Sequence, residues 1–94
     1  MGDVGTRLIF ENERVKVWEF TLDPGESIGA HTHEHDYLFY PIEGGTLEVT
    51  RANGRVDRVA LEAGTVYYRP GGDTHAATNR GPGRYHEVLV ELKG

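Results

Sequence analysis

The stretch GESIGAHTHEHDY, residues 25–37, decides how this 94-residue chain is interpreted. It follows a Pro-Gly turn and holds three of the five histidines in the sequence. Side chains alternate along an extended strand, so His31 and His33 are expected to point to the same face. Neutral imidazole is the commonest protein ligand for transition metals. This pair therefore predicts the beginning of a metal site.

A metal site rarely rests on two ligands, and His75 is the obvious third candidate. It follows a second Pro-Gly turn, at Pro70 and Gly71, well beyond the first histidines in the sequence. It can complete the site only if the fold brings its strand beside the strand of His31 and His33. The interpretation therefore depends on the fold class.

Short alternating runs of apolar residues, cut by Gly, Pro, Asn and Asp, predict an all-β fold. We find no convincing helical periodicity. Eight or nine short strands with turns between them favour a sandwich or closed barrel of two antiparallel sheets, as one domain over residues 1–94. Asn53-Gly54 predicts a type I′ hairpin turn. The expected strands comprise residues 8–11, 15–22, 37–42, 46–51, 55–61, 65–69 and 85–92, together with the two strands that carry the histidines.

The composition excludes several classes of function. Ten Lys and Arg against fifteen Asp and Glu give a formal net charge of −5. With no basic run or stripe, we expect no nucleic-acid partner. The absence of cysteine excludes thiolate chemistry and disulfides. No apolar run approaches the length of a membrane span, and the N-terminus is too short and polar for a signal peptide. We therefore expect no membrane partner and a cytoplasmic location.

Two motifs in this sequence resemble those of the cupin family. The first cupin motif is Gly, five residues, His-x-His, three or four residues, Glu, six residues, Gly. The second is Gly, five residues, Pro-x-Gly, two residues, His, three residues, Asn. Nine of the ten fixed positions match in order, across most of the chain. The matching residues are Gly25, His31, His33 and Gly44 in the first motif and Gly64, Pro70, Gly72, His75 and Asn79 in the second.

The resemblance implies a double-stranded β-helix, or jelly-roll barrel, with one divalent transition metal in its mouth. The run HEHDY is also similar to small bacterial cupins associated with β-alanine degradation. Family resemblance further implies dioxygenase, isomerase, lyase or decarboxylase activity, and three-histidine iron sites in cupins resemble those of dioxygenases. The sequence does not choose among Fe, Zn, Ni, Mn and Cu.

The tenth motif position departs from the pattern, because Tyr37 stands where cupins usually place a metal-binding glutamate. Asp36 is one residue away and would face the opposite side of an unbroken strand. We interpret the site as three neutral histidines, His31, His33 and His75. Tyr37 lies at its edge as a hydrogen-bond donor, a substrate contact or a phenolate ligand. Without the carboxylate the ion keeps its charge of +2, which favours an anionic small molecule as ligand or substrate.

Other side chains have more ordinary interpretations. Tyr68 shares strand parity with Val66, so we expect its ring to point into the barrel, where it and Tyr37 would bind substrate. Phe39 is interpreted as a core residue, and Trp18 and Phe20 as core or dimer-interface residues. His35 and His86 are interpreted as surface or packing histidines, and Asn79 as a turn or strand-end residue. The strand at 15–22 is apolar on both faces, which predicts a homodimer, because so short a chain cannot cover both faces internally.

Three functional hypotheses follow from these residues. The first is a metal-dependent enzyme, dioxygenase-like or an isomerase or lyase, acting on a small oxygenated metabolite. The second is a module that binds a small ligand or metal without turnover, favoured by the lack of an evident general acid or base beyond Tyr37. The third is a metal-free structural barrel.

Overall fold

The structure, a computed structural model, describes residues 4–94 and is all-β in that range. The strand boundaries agree with the sequence prediction to within a residue or two, which confirms the fold class. The strands are β1 (Arg7–Glu11), β2 (Val15–Leu22), β3 (Ser27–Thr32), β4 (Asp36–Glu43), β5 (Gly45–Arg51), β6 (Val56–Leu61), β7 (Tyr67–Arg69), β8 (Thr74–Asn79) and β9 (Tyr85–Leu92).

The strands form two antiparallel sheets that pack face to face as a double-stranded β-helix. One sheet has the order β1-β2-β9-β4-β7 and the other the order β3-β8-β5-β6. Alternation along each strand sends one set of side chains inward. On β2, for example, Trp18, Phe20 and Leu22 are buried while their neighbours are only half-buried. The core therefore lies between the inner faces of the two sheets.

The pairing of β3 with β8 brings the histidines together. His31 is directly opposite His75, and directly opposed residues of neighbouring strands point to the same face. On the other side of β8, His75 is opposite Arg51 of β5. The strand neighbour that the metal-site prediction required is therefore present.

The hairpin between β5 and β6 differs from the prediction. A type I′ turn needs positive φ at both central residues. Within residues 4–94 only glycines have positive φ, so Asn53 does not, whereas Gly54 has φ of 85°. The Gly54 N–H donates to the Arg51 carbonyl at 2.9 Å, and the Arg51 N–H donates to the Arg55 carbonyl at 2.8 Å. The type I′ prediction is wrong, because the turn begins one residue earlier and leaves the left-handed position to Gly54 alone.

The outer face of the five-stranded sheet carries an apolar row that crosses all five strands. Directly opposed residues form the row in the order Phe10, Val17, Val90, Leu38, Tyr68. Its two ends are the most open, with Phe10 54% and Tyr68 53% exposed. We refer to these five residues as the outer apolar row. Rows of this kind on a sheet face are typical of interaction surfaces.

Across the described residues, the structure contains no helix that is long and apolar enough to cross a membrane.

Candidate metal centre and cavity

His31, His33 and His75 form a compact cluster at one end of the barrel. Each offers one ring nitrogen, and the three atoms all lie within 4.8 Å of one another. The Nε2 atoms of His33 and His75 are 3.2 Å apart. Metal–imidazole bonds are about 2.0–2.1 Å long, so two nitrogens at this separation can bind the same ion. The donor set and its spacing therefore fit a divalent transition metal.

Hydrogen bonds hold two of the three rings in the tautomer that a metal needs. The Nδ1–H of His31 donates to the Gly29 carbonyl at 2.8 Å, and the Nδ1–H of His75 donates to Asp73 Oδ2 at 2.7 Å. Because a carbonyl and a carboxylate can only accept, Nδ1 carries the hydrogen in both rings. Nε2 is then left with its lone pair, and such partners are typical of metal-binding histidines.

His33 lies just beyond the end of β3 and is positioned by the loop that precedes His75. Its N–H donates to the Asp73 carbonyl at 3.0 Å, and its carbonyl accepts from the Gly72 N–H at 2.6 Å. Gly72 has φ of 99°, a conformation that a residue with a Cβ rarely adopts. The second Pro-Gly turn therefore fixes the position of a residue from the first motif. The Nδ1 atom of His33 is buried and has no hydrogen-bond partner in the described structure.

Burial keeps the imidazoles of His31 and His33 in the neutral form. It lowers the pKa of His31, although the Gly29 carbonyl opposes the shift. Burial, followed by the neighbouring His75 and His31, lowers the pKa of His33 to about 3. Both rings are therefore unprotonated near neutral pH, as metal ligation requires.

Tyr37 lies beside the cluster, as the sequence predicted. Its ring stacks on the ring of His33, with centroids 3.9 Å apart and planes inclined by 15°. Burial raises the pKa of Tyr37 to about 12, so its hydroxyl stays protonated at neutral pH. A protonated phenol can donate a hydrogen bond to a ligand beside the metal.

Asp36 and His35 do not join the cluster. Asp36 is exposed, and its carboxylate accepts hydrogen bonds from the Tyr68 hydroxyl at 2.6 Å and from the Gly71 N–H at 2.8 Å. It faces outward, as strand parity predicts. His35 is half-buried and lies outside the set of residues that line the cavity.

The expectation that Tyr68 points into the barrel is wrong. In the pairing of β4 with β7, Tyr37 is opposite Arg69 and Phe39 is opposite Tyr67. The inward positions of β7 are therefore Tyr67 and Arg69, and Tyr68 lies on the outer face. Its parity with Val66 was read correctly, but Val66 is itself 63% exposed. A substrate contact from Tyr68 inside the barrel has no support in this geometry.

Charged residues continue from the histidines toward the mouth of the barrel. The carboxylate of Asp73 accepts from His75 and also from Arg51 Nη1, each at 2.7 Å. Arg51 also pairs with Asp57 at 3.3 Å. Burial opposes ionisation of Asp73, but the bonds from His75 and Arg51 outweigh it and lower its pKa. The aspartate is therefore a stable acceptor that orients the His75 ring.

Arg69 is an unneutralised cation at the same mouth. Its guanidinium carbon lies 5.8 Å from the ring centroids of Phe39 and Tyr67. Among residues 4–94, no carboxylate lies within salt-bridge distance of Arg69, whereas Arg51 is held by two aspartates. Arg69 Nη1 donates to the Tyr68 carbonyl at 2.9 Å, and the charge of the guanidinium remains available to an anionic ligand.

A cavity of about 490 Å³ extends from the histidine cluster into the barrel. Apolar side chains form much of its wall, among them Phe39, Leu89, Val49 and Ala77. Apolar walls with a few converging polar groups are typical of small-molecule sites.

Glu87 is a functional candidate that the sequence interpretation missed. The buried face of β9 carries Tyr85, Glu87, Leu89 and Glu91. Glu87 lines the cavity, and burial raises its pKa to about 7 despite a hydrogen bond from Tyr85. Glu87 and the apolar Leu89 are two residues apart and therefore share a strand face, and this spacing could have identified Glu87 from the sequence.

The other ordinary assignments agree with the structure. Asn79 is buried, and its amide donates to the Leu22 and Gly83 carbonyls, each at 2.9 Å. His86 lies outside the cavity, 2.9 Å from Glu19. Phe20 and Trp18 are core residues.

Comparisons with known proteins agree on one family. Residues 18–90 match the family described as Cupin domain. The chain is 39% identical over 84 residues to the β-alanine degradation protein BauB of Pseudomonas aeruginosa. The match covers 88% of this chain and 86% of that protein.

Solved structures share the fold. A cupin domain from Bordetella pertussis is 32% identical, with a TM-score of 0.84, and the match covers 99% of this chain and all of that one. A protein of Thermotoga maritima described as a predicted oxalate decarboxylase is 26% identical, with a TM-score of 0.61, over 85% of this chain and 67% of that one.

Proposed function

Because this chain belongs to the cupin family, we propose that it is a metal-dependent enzyme that acts on a small, oxygenated, anionic metabolite. His31, His33 and His75 would hold one divalent transition metal ion. The observation that carries the proposal is the convergence of three ring nitrogens within 4.8 Å at the end of a cavity. Two of those rings are already held in the ligating tautomer.

A bound metal of this kind supplies Lewis acidity and, if it is iron, the capacity to activate dioxygen. The residues around it supply binding and orientation. Arg69 would pair with the anionic group of the metabolite, and the Tyr37 hydroxyl would donate a hydrogen bond to an oxygen beside the triad. The apolar walls would exclude water from the remainder of the metabolite. Dioxygenase-like, isomerase and lyase chemistry are all compatible with this arrangement.

A binding module without turnover is the second candidate. It is favoured by Tyr37, whose ring stacks on His33: without a metal ion, burial raises the pKa of its hydroxyl to about 12, so the hydroxyl is protonated and is not a base near neutral pH. A ligand that shifts the melting temperature and is recovered chemically unchanged would support this candidate. Product formation by the metal-loaded protein would exclude it.

The 39% identity to BauB supports a part in β-alanine degradation as the metabolic setting. We also propose that the protein is a homodimer, with the outer apolar row as its contact surface. A row open at both ends and crossing five strands would bury apolar area against a second copy. The cytoplasmic location stays a prediction.

Metal content of protein purified without a histidine tag tests the proposed function. We expect about one divalent transition metal ion per chain in the wild type and loss of most of it in His75→Ala. His35→Ala is the matched control, because His35 is a neighbouring histidine that lies outside the cluster. Full metal content in His75→Ala, with loss in His35→Ala, would show that the triad is wrongly assigned.

A further inference from the structure

Glu87 is a buried carboxylic acid in the wall of the cavity, on the inner face of β9. It is 5% exposed, and the Tyr85 hydroxyl donates to its Oε1 atom at 2.5 Å. Within residues 4–94, no group donates a hydrogen bond to its other oxygen, Oε2. That oxygen is not fully buried. Since the residue lines the cavity, Oε2 is the part of the carboxyl that faces the cavity.

Glu91 shows what a purely structural glutamate looks like on the same strand. It shares the inner face with Glu87 and is buried to a similar degree, at 6% exposed. Its Oε1 atom accepts from the Trp18 indole N–H at 2.7 Å. It does not line the cavity. Glu87 therefore differs from Glu91 in lining the cavity, where its second carboxyl oxygen can meet a ligand.

The surroundings of Glu87 supply no cation. Its direct strand neighbours are Phe20 on β2 and Pro41 on β4. Among residues 4–94 no Lys, Arg or His lies within salt-bridge distance of its carboxyl. A buried carboxyl without a countercharge is costly to ionise, and it gains most from a ligand that brings the charge.

Glu87 and the histidines lie at different levels of the barrel. Tyr37, whose ring stacks on His33, lies four residues before Pro41 on β4, and four residues of antiparallel strand span about 13 Å. Phe39 and Leu89, opposite each other between these levels, are apolar. The cavity therefore has polar groups at two ends and an apolar section between them.

We propose that Glu87 is a second anchor of the cavity, and that the natural ligand carries a terminal amine at the end remote from its metal-binding group. The ligand class is a small straight-chain compound with an oxygenated anionic head and an ammonium tail. This inference rests on the proposed metal site, because the head is held there. Glu87 acts here as a specificity-determining residue.

Two matched series of hydroxamic acids test this inference by calorimetry on the zinc-loaded protein. One series consists of straight-chain alkanohydroxamic acids of increasing length, and the other carries a terminal amine in place of the methyl group. The hydroxamate chelates the metal in both series. At one chain length we expect the amine to bind about tenfold tighter than its apolar counterpart, as a charge-assisted hydrogen bond in a buried site allows.

Variants assign the preference to Glu87. In Glu87→Gln, which keeps an acceptor for the Tyr85 hydroxyl, the tenfold preference should disappear while the apolar hydroxamates bind as in the wild type. Glu91→Gln, the buried neighbour outside the cavity, should keep the preference. An amine preference absent at every length in the wild type, or unchanged in Glu87→Gln, would overturn the inference alone. Failure of every hydroxamate to bind the zinc-loaded wild type would overturn the metal site and this inference together.

Discussion

The carboxylate of Asp73 lies 2.7 Å from Nδ1 of His75 and fixes which nitrogen of that ring is free to bind a metal. The same oxygen is held by Arg51 at 2.7 Å. A sequence motif selects His75, but the tautomer and orientation of its ring depend on a residue two positions earlier.

Replacement of Asp73 by alanine should therefore weaken metal binding without removing a ligand. Loss of a carboxylate that orients a metal-binding histidine typically costs about 10–100-fold in affinity. Competition with a chromophoric chelator measures the change in Kd. Asp57→Ala is the control, because it also removes a carboxylate from Arg51 but leaves His75 untouched. Equal losses in both variants would mean that Asp73 acts through Arg51 and not through the imidazole.

Tyr37 should influence ligands more than metal. Tyr37→Phe keeps the stacked ring on His33 and removes a hydroxyl that stays protonated near neutral pH. We expect nearly unchanged metal content and weaker binding of anionic ligands. Tyr37→Glu restores the usual cupin carboxylate, so metal should bind more tightly while the lost positive charge weakens anion binding. Metal analysis combined with calorimetry of a small carboxylate separates the two effects, and metal loss in Tyr37→Phe would contradict them.

Most of the strands, and the pair of His31 and His33, could be predicted from sequence because both depend on local rules. Alternation placed His31 and His33 on one face, and glycine and proline marked the turns between strands. Strand parity also placed Asp36 outside the site. These inferences need only an extended backbone and no knowledge of strand pairing, whereas the place of His75 beside His31 depends on the pairing of β3 with β8.

The errors arose where the answer depended on pairing between distant strands. The prediction that Tyr68 points into the barrel was wrong because alternation divides a strand into two faces but does not show which face is the inner one. The register of β7 on β4 determines the inner face. Glu87 was missed because a carboxyl on an inward face is unexpected from hydropathy. Only the pairing of β9 with both β2 and β4 shows that Glu87 lines the cavity. The hairpin type also depended on where the pairing of β5 and β6 ended.

The outer apolar row should control the oligomeric state. Phe10→Glu places a charge at the open end of the row and should convert dimers to monomers in sedimentation or light-scattering measurements. Val56→Glu is a matched control, because Val56 is equally exposed, at 54%, but lies on β6 in the other sheet. Dimers that persist in Phe10→Glu but dissociate in Val56→Glu would move the interface to the four-stranded sheet.

The ionisation of Glu87 should make the wild-type protein less stable as the pH rises. Its folded-state pKa is about 7, against 4.5 for an ordinary glutamate, because burial disfavours the charged form. Between these two values the folded state holds a proton that the unfolded state has lost, so the free energy of unfolding falls as the pH rises. The full effect is on the order of 3 kcal/mol once the pH exceeds both values.

Urea unfolding of the wild type and of Glu87→Gln across this pH range measures that contribution. The uncharged variant lacks the ionisation, so its stability relative to the wild type should rise with pH from 4.5 to about 7 and then level off. Tyr85→Phe gives an independent check. The hydrogen bond from the Tyr85 hydroxyl lowers the pKa of Glu87, so in Tyr85→Phe the fall in stability should begin at the same pH, extend to higher pH and be larger. Parallel stability curves for the wild type and Glu87→Gln would show that the pKa of Glu87 is not raised in the folded protein.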